Sequence, residues 1–128
     1  MLFRSIIAQH TQFAIDSGWS NKVPKLKIRG NYLNTTISGL TSALASVSAP
    51  AIRSFTTDNG VIGGDSADDR NVMAGLLRVE DAENLTIKNN YIGVGKDGRT
   101  SLAKFDIAVY LGYSANYSDR KASCRERV

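Results

Sequence analysis

L-T-I-K-N-N-Y-I-G-V-G-K-D-G-R-T-S, running from Leu85 to Ser101, has an earlier counterpart at an offset of 59 in L-K-I-R-G-N-Y-L-N-T-T-I-S-G-L-T-S, from Leu26 to Ser42. Seven of the seventeen positions are identical: Leu26/Leu85, Ile28/Ile87, Asn31/Asn90, Tyr32/Tyr91, Gly39/Gly98, Thr41/Thr100 and Ser42/Ser101. Chance would supply about one. An internal repeat of this length is the signature of a stacked architecture, and it takes precedence over any motif inside it.

A shorter match sets Ala51 to Ile62 against Leu76 to Ile87 at an offset of 25, pairing Ile52 with Leu77, Arg53 with Arg78, Asn59 with Asn84 and Ile62 with Ile87. A further step of 32 from Leu77 reaches Val109. The expectation is that each repeat unit holds two coils of unequal length, set by offsets of 25 and 32. Short alternating aliphatic runs separated by Gly, Asn and Asp, without an amphipathic helix, predict an all-β solenoid whose strands lie on one another. Leu26, Ile28, Leu77, Val79, Leu85, Ile87, Val109 and Leu111 are its expected inward residues. Recurrent turn asparagines tolerate left-handed backbone and can hydrogen-bond in a ladder. Phe105 to Leu111 shows the period of two most plainly.

V-I-G-G at Val61 to Gly64, R-N-V-M-A-G at Arg70 to Gly75 and N-N-Y-I-G-V-G-K-D-G-R-T at Asn89 to Thr100 follow one another in an order that resembles the right-handed parallel β-helix repeat proteins of the pectin-lyase-like group. The resemblance covers roughly Leu26 to Asn116. It implies a right-handed parallel β-helix of three to four partial or complete coils. Residues 25–117 would form the coils and 1–24 a partial coil or irregular segment. The first copy has Asn34 and Thr36 where Gly93 and Gly95 stand, so its coil is expected to be less regular.

Composition fits a folded domain, with 42% hydrophobic and 22% charged residues and a formal charge of +4. No apolar run approaches the ~20 residues of a membrane helix, so no membrane insertion is expected. Residues 118–128 read as a non-native tail, since A-S-C-R-E-R-V looks like translated adapter sequence. The tail holds Cys124, the sole cysteine, and half of the net charge. The opening residues, interrupted by Arg4, do not make a secretory signal. An extracellular or cell-surface location, with any signal upstream and the remainder of a longer chain beyond, is the expectation.

Three clusters could carry chemistry. Asp65, Asp68, Asp69 and Arg70 are the catalytic candidates, because carboxylates near an arginine can bind Ca²⁺ and assist proton abstraction from an acidic sugar. The spacing fits no EF-hand, no other cofactor is expected, and the arginine is expected to pair with turn carboxylates. Trp19, Tyr110 and Tyr113 are the carbohydrate-stacking candidates. Tyr32 and Tyr91, at matching positions, are expected to stack between neighbouring rungs. Lys25, Lys27 and Arg29 form a basic strand face, read as solvated and not as a nucleic-acid site. Gly93, Gly95 and Gly98 satisfy G-x-G-x-x-G, yet a strand and not a helix follows, so they read as loop formers. His10, the lone histidine, lies outside the repeat. N-x-[ST] triplets start at Asn34, Asn84 and Asn116. The expected function is a rigid scaffold that faces polysaccharide or another partner; the alternative is part of a polysaccharide lyase or glycoside hydrolase acting on acidic polysaccharide.

Overall fold

The computed structural model describes residues 6–7, 14–18, 22–43, 50–102, 109–112 and 117–118. The chain visits its sheets in a fixed order. β1 (Ile6–Ile7) lies in sheet A, β2 (Ile15–Ser17) in sheet B, β3 (Val23–Pro24) in sheet C and β4 (Lys27–Ile28) in sheet D. It then returns with β5 (Tyr32–Leu33) to A, β6 (Ile52–Phe55) to B, β7 (Thr57–Asp58) to C and β8 (Val61–Gly63) to D. A third circuit gives β9 (Val72–Met73), β10 (Leu77–Glu80) and β11 (Leu85–Lys88) to A, B and D, and a fourth gives β12 (Tyr91–Ile92), β13 (Val109–Gly112) and β14 (Tyr117–Ser118). Every pairing between these strands is parallel. The fold is all-β, with a 3-10 turn at Ala67–Asp69, and the arrangement is consistent with a parallel solenoid.

Registration explains the repeat. Ile28 pairs with Ile62, and Ile62 with Ile87. Steps of 34 and 25 therefore make up the offset of 59, and the two copies lie two strands apart with β8 between them. The step of 25 is as expected, at Ile52 to Leu77 as well as here. The step of 32 belongs to the next circuit, from Leu77 to Val109 and from Leu85 to Tyr117. Likewise Val72 sits between Tyr32 and Tyr91, so the two rings do not lie on adjacent rungs.

Alternation puts one set of aliphatics inward. Ile28, Leu33, Ile52, Ile62, Met73, Leu77, Val79, Leu85, Ile87 and Ile92 form one buried cluster drawn from sheets A, B and D, and Leu26 and Val109 pack against it. Each aliphatic fully buried contributes ~1.5–3 kcal/mol, so this enclosed stack is the principal stabilising term. Leu111 departs from expectation: it occupies an inward position of sheet B, yet it is 47% exposed because β13 is the last described strand of its sheet. Residues 105–108 lie outside the described residues. In the basic run, Lys25 adopts φ 56 in a turn, and only Lys27 and Ile28 are strand.

Left-handed residues recur at matching stations. Lys25, Asn59 and Asn84 turn the chain into sheet D, Thr56 and Asp81 turn it out of sheet B, and Asn34 and Gly93 turn it out of sheet A. A left-handed residue bearing a Cβ costs roughly 1–2 kcal/mol, least for Asn, which accounts for the asparagines. At Gly63 (φ 92) a Cβ would lie 1.8 Å from the Lys88 carbonyl oxygen, so the I-G-G turn exists to let two backbones meet.

Between sheets D and A the predicted ladder is present. The Asn31 backbone N–H and Nδ2 donate to Asn71 Oδ1 at 3.0 and 3.1 Å, and Asn71 Nδ2 donates to Asn90 Oδ1 at 2.9 Å. Asn71 and Asn90 also donate to the Ile28 and Ile62 carbonyls, both at 2.9 Å. Asn71 is fully buried.

Two loops leave sheet A, after β5 and after β12. Contrary to expectation, the first copy is as regular as the second. Thr36, Gly39 and Ala43 donate to Thr41, Thr36 and Asn34; Gly95, Gly98 and Leu102 donate to Thr100, Gly95 and Gly93, each bond at the repeat offset from its counterpart. Asn34 (φ 55) takes the left-handed role of Gly93 (φ 73). The middle circuit passes from Met73 to Leu77 without such a loop. The two loops consequently touch, through the Lys96 N–H and the Gly39 carbonyl at 2.9 Å.

Two buried asparagines should respond oppositely to truncation. Asn71→Ala strands several buried partners and should destabilise by about 2–3 kcal/mol in urea denaturation. Asn34 is fully buried with both amide atoms unpartnered among the described residues, at a station where glycine stands in the other copy. Asn34→Gly should therefore be neutral or stabilising by up to ~1 kcal/mol. Equal losses in the two variants would contradict this reading.

Candidate functional site

On the outer side of sheet B, period-two alternation turns one residue per strand outward in register: Asp16 beside Arg53, Arg53 beside Arg78, and Arg78 beside Tyr110. Phe55 and Glu80 follow as a second row. Arg53 Nε donates to Asp16 Oδ1 at 2.9 Å, and its Nη2 pairs with Asp16 Oδ2. The same guanidinium lies 5.2 Å from the centre of the Phe55 ring. Arg78 Nε donates to Glu80 Oε1 at 2.6 Å, and its guanidinium lies 5.3 Å from the Tyr110 ring centre. Tyr110 is 41% exposed.

The chemistry of this row follows from the alternation. Two guanidiniums, each paired with a carboxylate, give a line of N–H donors and carboxylate lone pairs with little net charge. The tyrosine adds an apolar ring face and a hydroxyl. Each cation–π contact contributes about 0.5–1 kcal/mol at an exposed site and holds the guanidinium plane in place. Asp16, Arg78 and Tyr110 reach solvent, while Arg53 is mostly covered and Glu80 is buried; the exposed donors, acceptors and ring suit a hydroxyl-rich ligand.

Of the stacking candidates read from the sequence, Tyr110 belongs to this row, while Trp19 and Tyr113 lie outside the described residues. Asp16, Arg53, Arg78, Glu80 and Phe55 went unrecognised, although the Arg53/Arg78 match at an offset of 25 was visible. An outward arginine on a strand looks the same in sequence whether it is solvated or organised. Only register shows that the two adjoin.

The carboxylate cluster is placed differently. Asp65, highly exposed, pairs with Lys88 at 2.6 Å. Asp69 closes a capping box with Ser66 around the 3-10 turn and pairs with Arg29 at 3.4 Å. The Ser66 N–H and hydroxyl hold its carboxyl below the usual range. Asp68 is exposed in the same turn. Arg70 does not pair with these carboxylates: its Nη2 and Nε donate to Asn89 Oδ1 at 2.6 and 3.0 Å, and it stacks 4.2 Å from the Tyr91 ring centre. The reason is register, which puts Asn89 beside the arginine while Asp69 faces Arg29. Among the described residues no group of three or more ligating side chains could hold a metal ion. Asp58 of β7 and Glu83 stand side by side through an isolated parallel bridge, clamped by Lys22 at 3.7 and 2.9 Å.

The glycine motif is structural in its contacts. A Cβ on Gly98 (φ 68) would lie 3.1 Å from the Tyr91 hydroxyl, and one on Gly95 3.0 Å from the Gly39 carbonyl. The loop is closed by Asp97, whose Oδ1 accepts from the Arg99 and Thr100 N–H groups, both at 2.9 Å, and whose Oδ2 accepts from the Thr100 hydroxyl at 2.6 Å. Of the three N-x-[ST] asparagines, Asn34 is buried, Asn84 is exposed in a turn and Asn116 lies outside the described residues.

Comparison with family models, with curated proteins and with solved structures found no match for this chain.

The Thr100 hydroxyl, with the Thr100 and Arg99 N–H groups, holds the Asp97 carboxyl down to about 2 from its ordinary 3.8. A lowered folded-state value means that the loop gains stability from this carboxylate above pH 3.8 and loses it as pH falls through about 2. The amide resonances of Arg99 and Thr100 should titrate with a midpoint near 2. A midpoint at the ordinary value would contradict the closed loop.

Proposed function

We propose that this chain is a stretch of right-handed parallel β-helix of the pectin-lyase-like kind, from an exported or cell-surface protein, and that it is a rigid scaffold whose sheet B face holds a hydroxyl-rich polysaccharide without cleaving it. The observation that carries the reading is the registered row of Asp16, Arg53, Arg78 and Tyr110. Support for the fold comes from the fixed order in which the chain visits its sheets and from the V-I-G-G, R-N-V-M-A-G and N-N-Y-I-G-V-G elements. Support for binding comes from the chemistry of the row: successive strands ~4.8 Å apart repeat their side chains at roughly the length of one sugar ring, so a linear glycan lying across the strands meets a new donor or acceptor on each. The ion pairs hold the guanidiniums in place before a ligand arrives, which reduces the ordering entropy lost on binding.

A cleaving role has less behind it. Asp65 and Asp69 are engaged with Lys88 and Arg29, and Arg70 is drawn to Asn89 and Tyr91. None of these groups shares the sheet B row.

The experiment is a binding titration against a panel of neutral polysaccharides, with polygalacturonate as the acidic member, for the parent chain and for Arg78→Ala and Tyr110→Ala. Each truncation should weaken the preferred neutral glycan roughly tenfold, about 1.4 kcal/mol, with the circular dichroism unchanged. Binding that ignores both changes, or absence of glycan binding altogether, would overturn the proposal. Unsaturated product released from polygalacturonate in the presence of Ca²⁺ would replace it with the lyase alternative.

A further inference from the structure

Succinimide chemistry begins most readily where glycine follows asparagine or aspartate, because glycine hinders its own backbone nitrogen least. The sequence holds two such pairs, Asn59-Gly60 and Asp97-Gly98. The structure treats them differently. Asp97 engages both carboxylate oxygens with the Arg99 and Thr100 N–H groups and the Thr100 hydroxyl, and the Gly98 N–H donates to the Gly95 carbonyl at 2.8 Å. An ionised carboxylate so held, beside a nitrogen already bonded, is a poor pair for ring closure.

Asn59 is exposed, with φ 52, in the turn that carries the chain from sheet C into sheet D. Among the described residues its side chain makes one hydrogen bond, from Nδ2 to Asp58 Oδ1 at 2.8 Å, and the Gly60 N–H donates to no acceptor. The coil itself imposes this pair. Left-handed backbone favours asparagine at position 59, and at position 60 a Cβ would lie 2.7 Å from Thr57 Cγ2 and 3.0 Å from Leu85 Cδ1.

We infer that Asn59 is a self-modification site of the folded chain, converted through a ring with Gly60 to aspartate or isoaspartate while Asp97-Gly98 stays intact. The Gly60 nitrogen gives its proton to solvent hydroxide and attacks Asn59 Cγ. The N–Cγ bond forms, the Cγ–Nδ2 bond breaks, and the amide nitrogen leaves as ammonia with a proton from water, which restores the hydroxide. Water then opens the ring at Cγ to give aspartate, or at the main-chain carbonyl to give isoaspartate, whose main chain runs through Cβ and Cγ. Either product disturbs the turn. A carboxylate at position 59 joins Asp58 and Glu83, which already share Lys22 at 3.7 and 2.9 Å, so like charges crowd one cation. The lengthened main chain fits worse, since the Asn59 N–H bonds the Glu83 carbonyl at 2.9 Å and the Val61 N–H bonds the Leu26 carbonyl at 2.7 Å, pinning the turn to the rungs on both sides. The inference is independent of glycan binding.

Mass-spectrometric peptide mapping tests it, after prolonged incubation of the chain at mildly alkaline pH and physiological temperature, folded and in urea. In urea both pairs should form isoaspartate. In the folded chain the rate at Asn59 should stay within roughly tenfold of its urea rate, whereas that at Asp97 should fall more than roughly a hundredfold. Hydrogen exchange of the Val61 amide should be at least roughly tenfold faster in the aged fraction. Asn59→Gly, which keeps the left-handed backbone, should abolish the reaction and hold that exchange constant over the same period. Protection of Asn59 by folding as strong as that of Asp97, equal modification of both pairs in the folded chain, or an unchanged Val61 amide in the aged fraction would overturn the inference.

Discussion

Parallel registration between successive circuits is the constraint on which everything else rests. Side chains alternate across a strand, so a slip of one residue between β8 and β11 would turn Ile87 outward and bring Thr86 into the core. What prevents that slip is the combination of the Ile28, Ile62 and Ile87 row with the Asn31, Asn71 and Asn90 ladder beside it. The aliphatics supply burial but tolerate shifts among similar residues. The asparagines do not, because the buried amides of Asn71 and Asn90 bond both within the ladder and to a carbonyl of a neighbouring strand, and a displaced rung would leave those groups unpaired in a dry interior.

Unequal circuits follow from the same constraint. Once the strands are locked, extra residues have to leave between them, and they do so after sheet A in the second and fourth circuits but not in the third. The two excursions fold back over the outer face of sheet A, where Tyr32, Val72, Ala74 and Leu102 form a second, smaller cluster with Tyr91 packed against it. The glycines of these loops permit the close approach of backbone to ring. Asp97 in one loop and Ser38 in the other, at equivalent stations of the repeat, accept the N–H groups of the returning chain. On the sheet B face Arg78 and Tyr110 are exposed, whereas the Arg53 side chain is mostly covered.

Much of this was legible before the structure. The period of two in L-T-I-K and the long repeat point to stacked strands, and Asn31 with Asn90 points to a ladder. The middle rung was hidden because Val72 is offset by 40 from Tyr32 and by only 19 from Tyr91, an asymmetry no single period reveals. Asn71 was missed as the central member of the ladder for the same reason. The partner of Arg70 was misjudged because nearness in sequence favoured Asp69, whereas registration brings up Asn89. Asp16 and Glu80 carry no signal at all until their strands are aligned, since a carboxylate on an outward strand position is ordinarily solvated.

The most direct test of the register is disulfide trapping on the outer face of sheet D, in a chain with Cys124 replaced by serine. Val61 and Thr86 are aligned on adjacent parallel strands, whose spacing of ~4.8 Å falls within the range a disulfide can span. Val61→Cys with Thr86→Cys should cross-link quantitatively under mild oxidation, and Val61→Cys with Ile87→Cys, displaced by one residue and facing inward, should not. Equal cross-linking of the two pairs, or preference for the displaced one, would contradict the account.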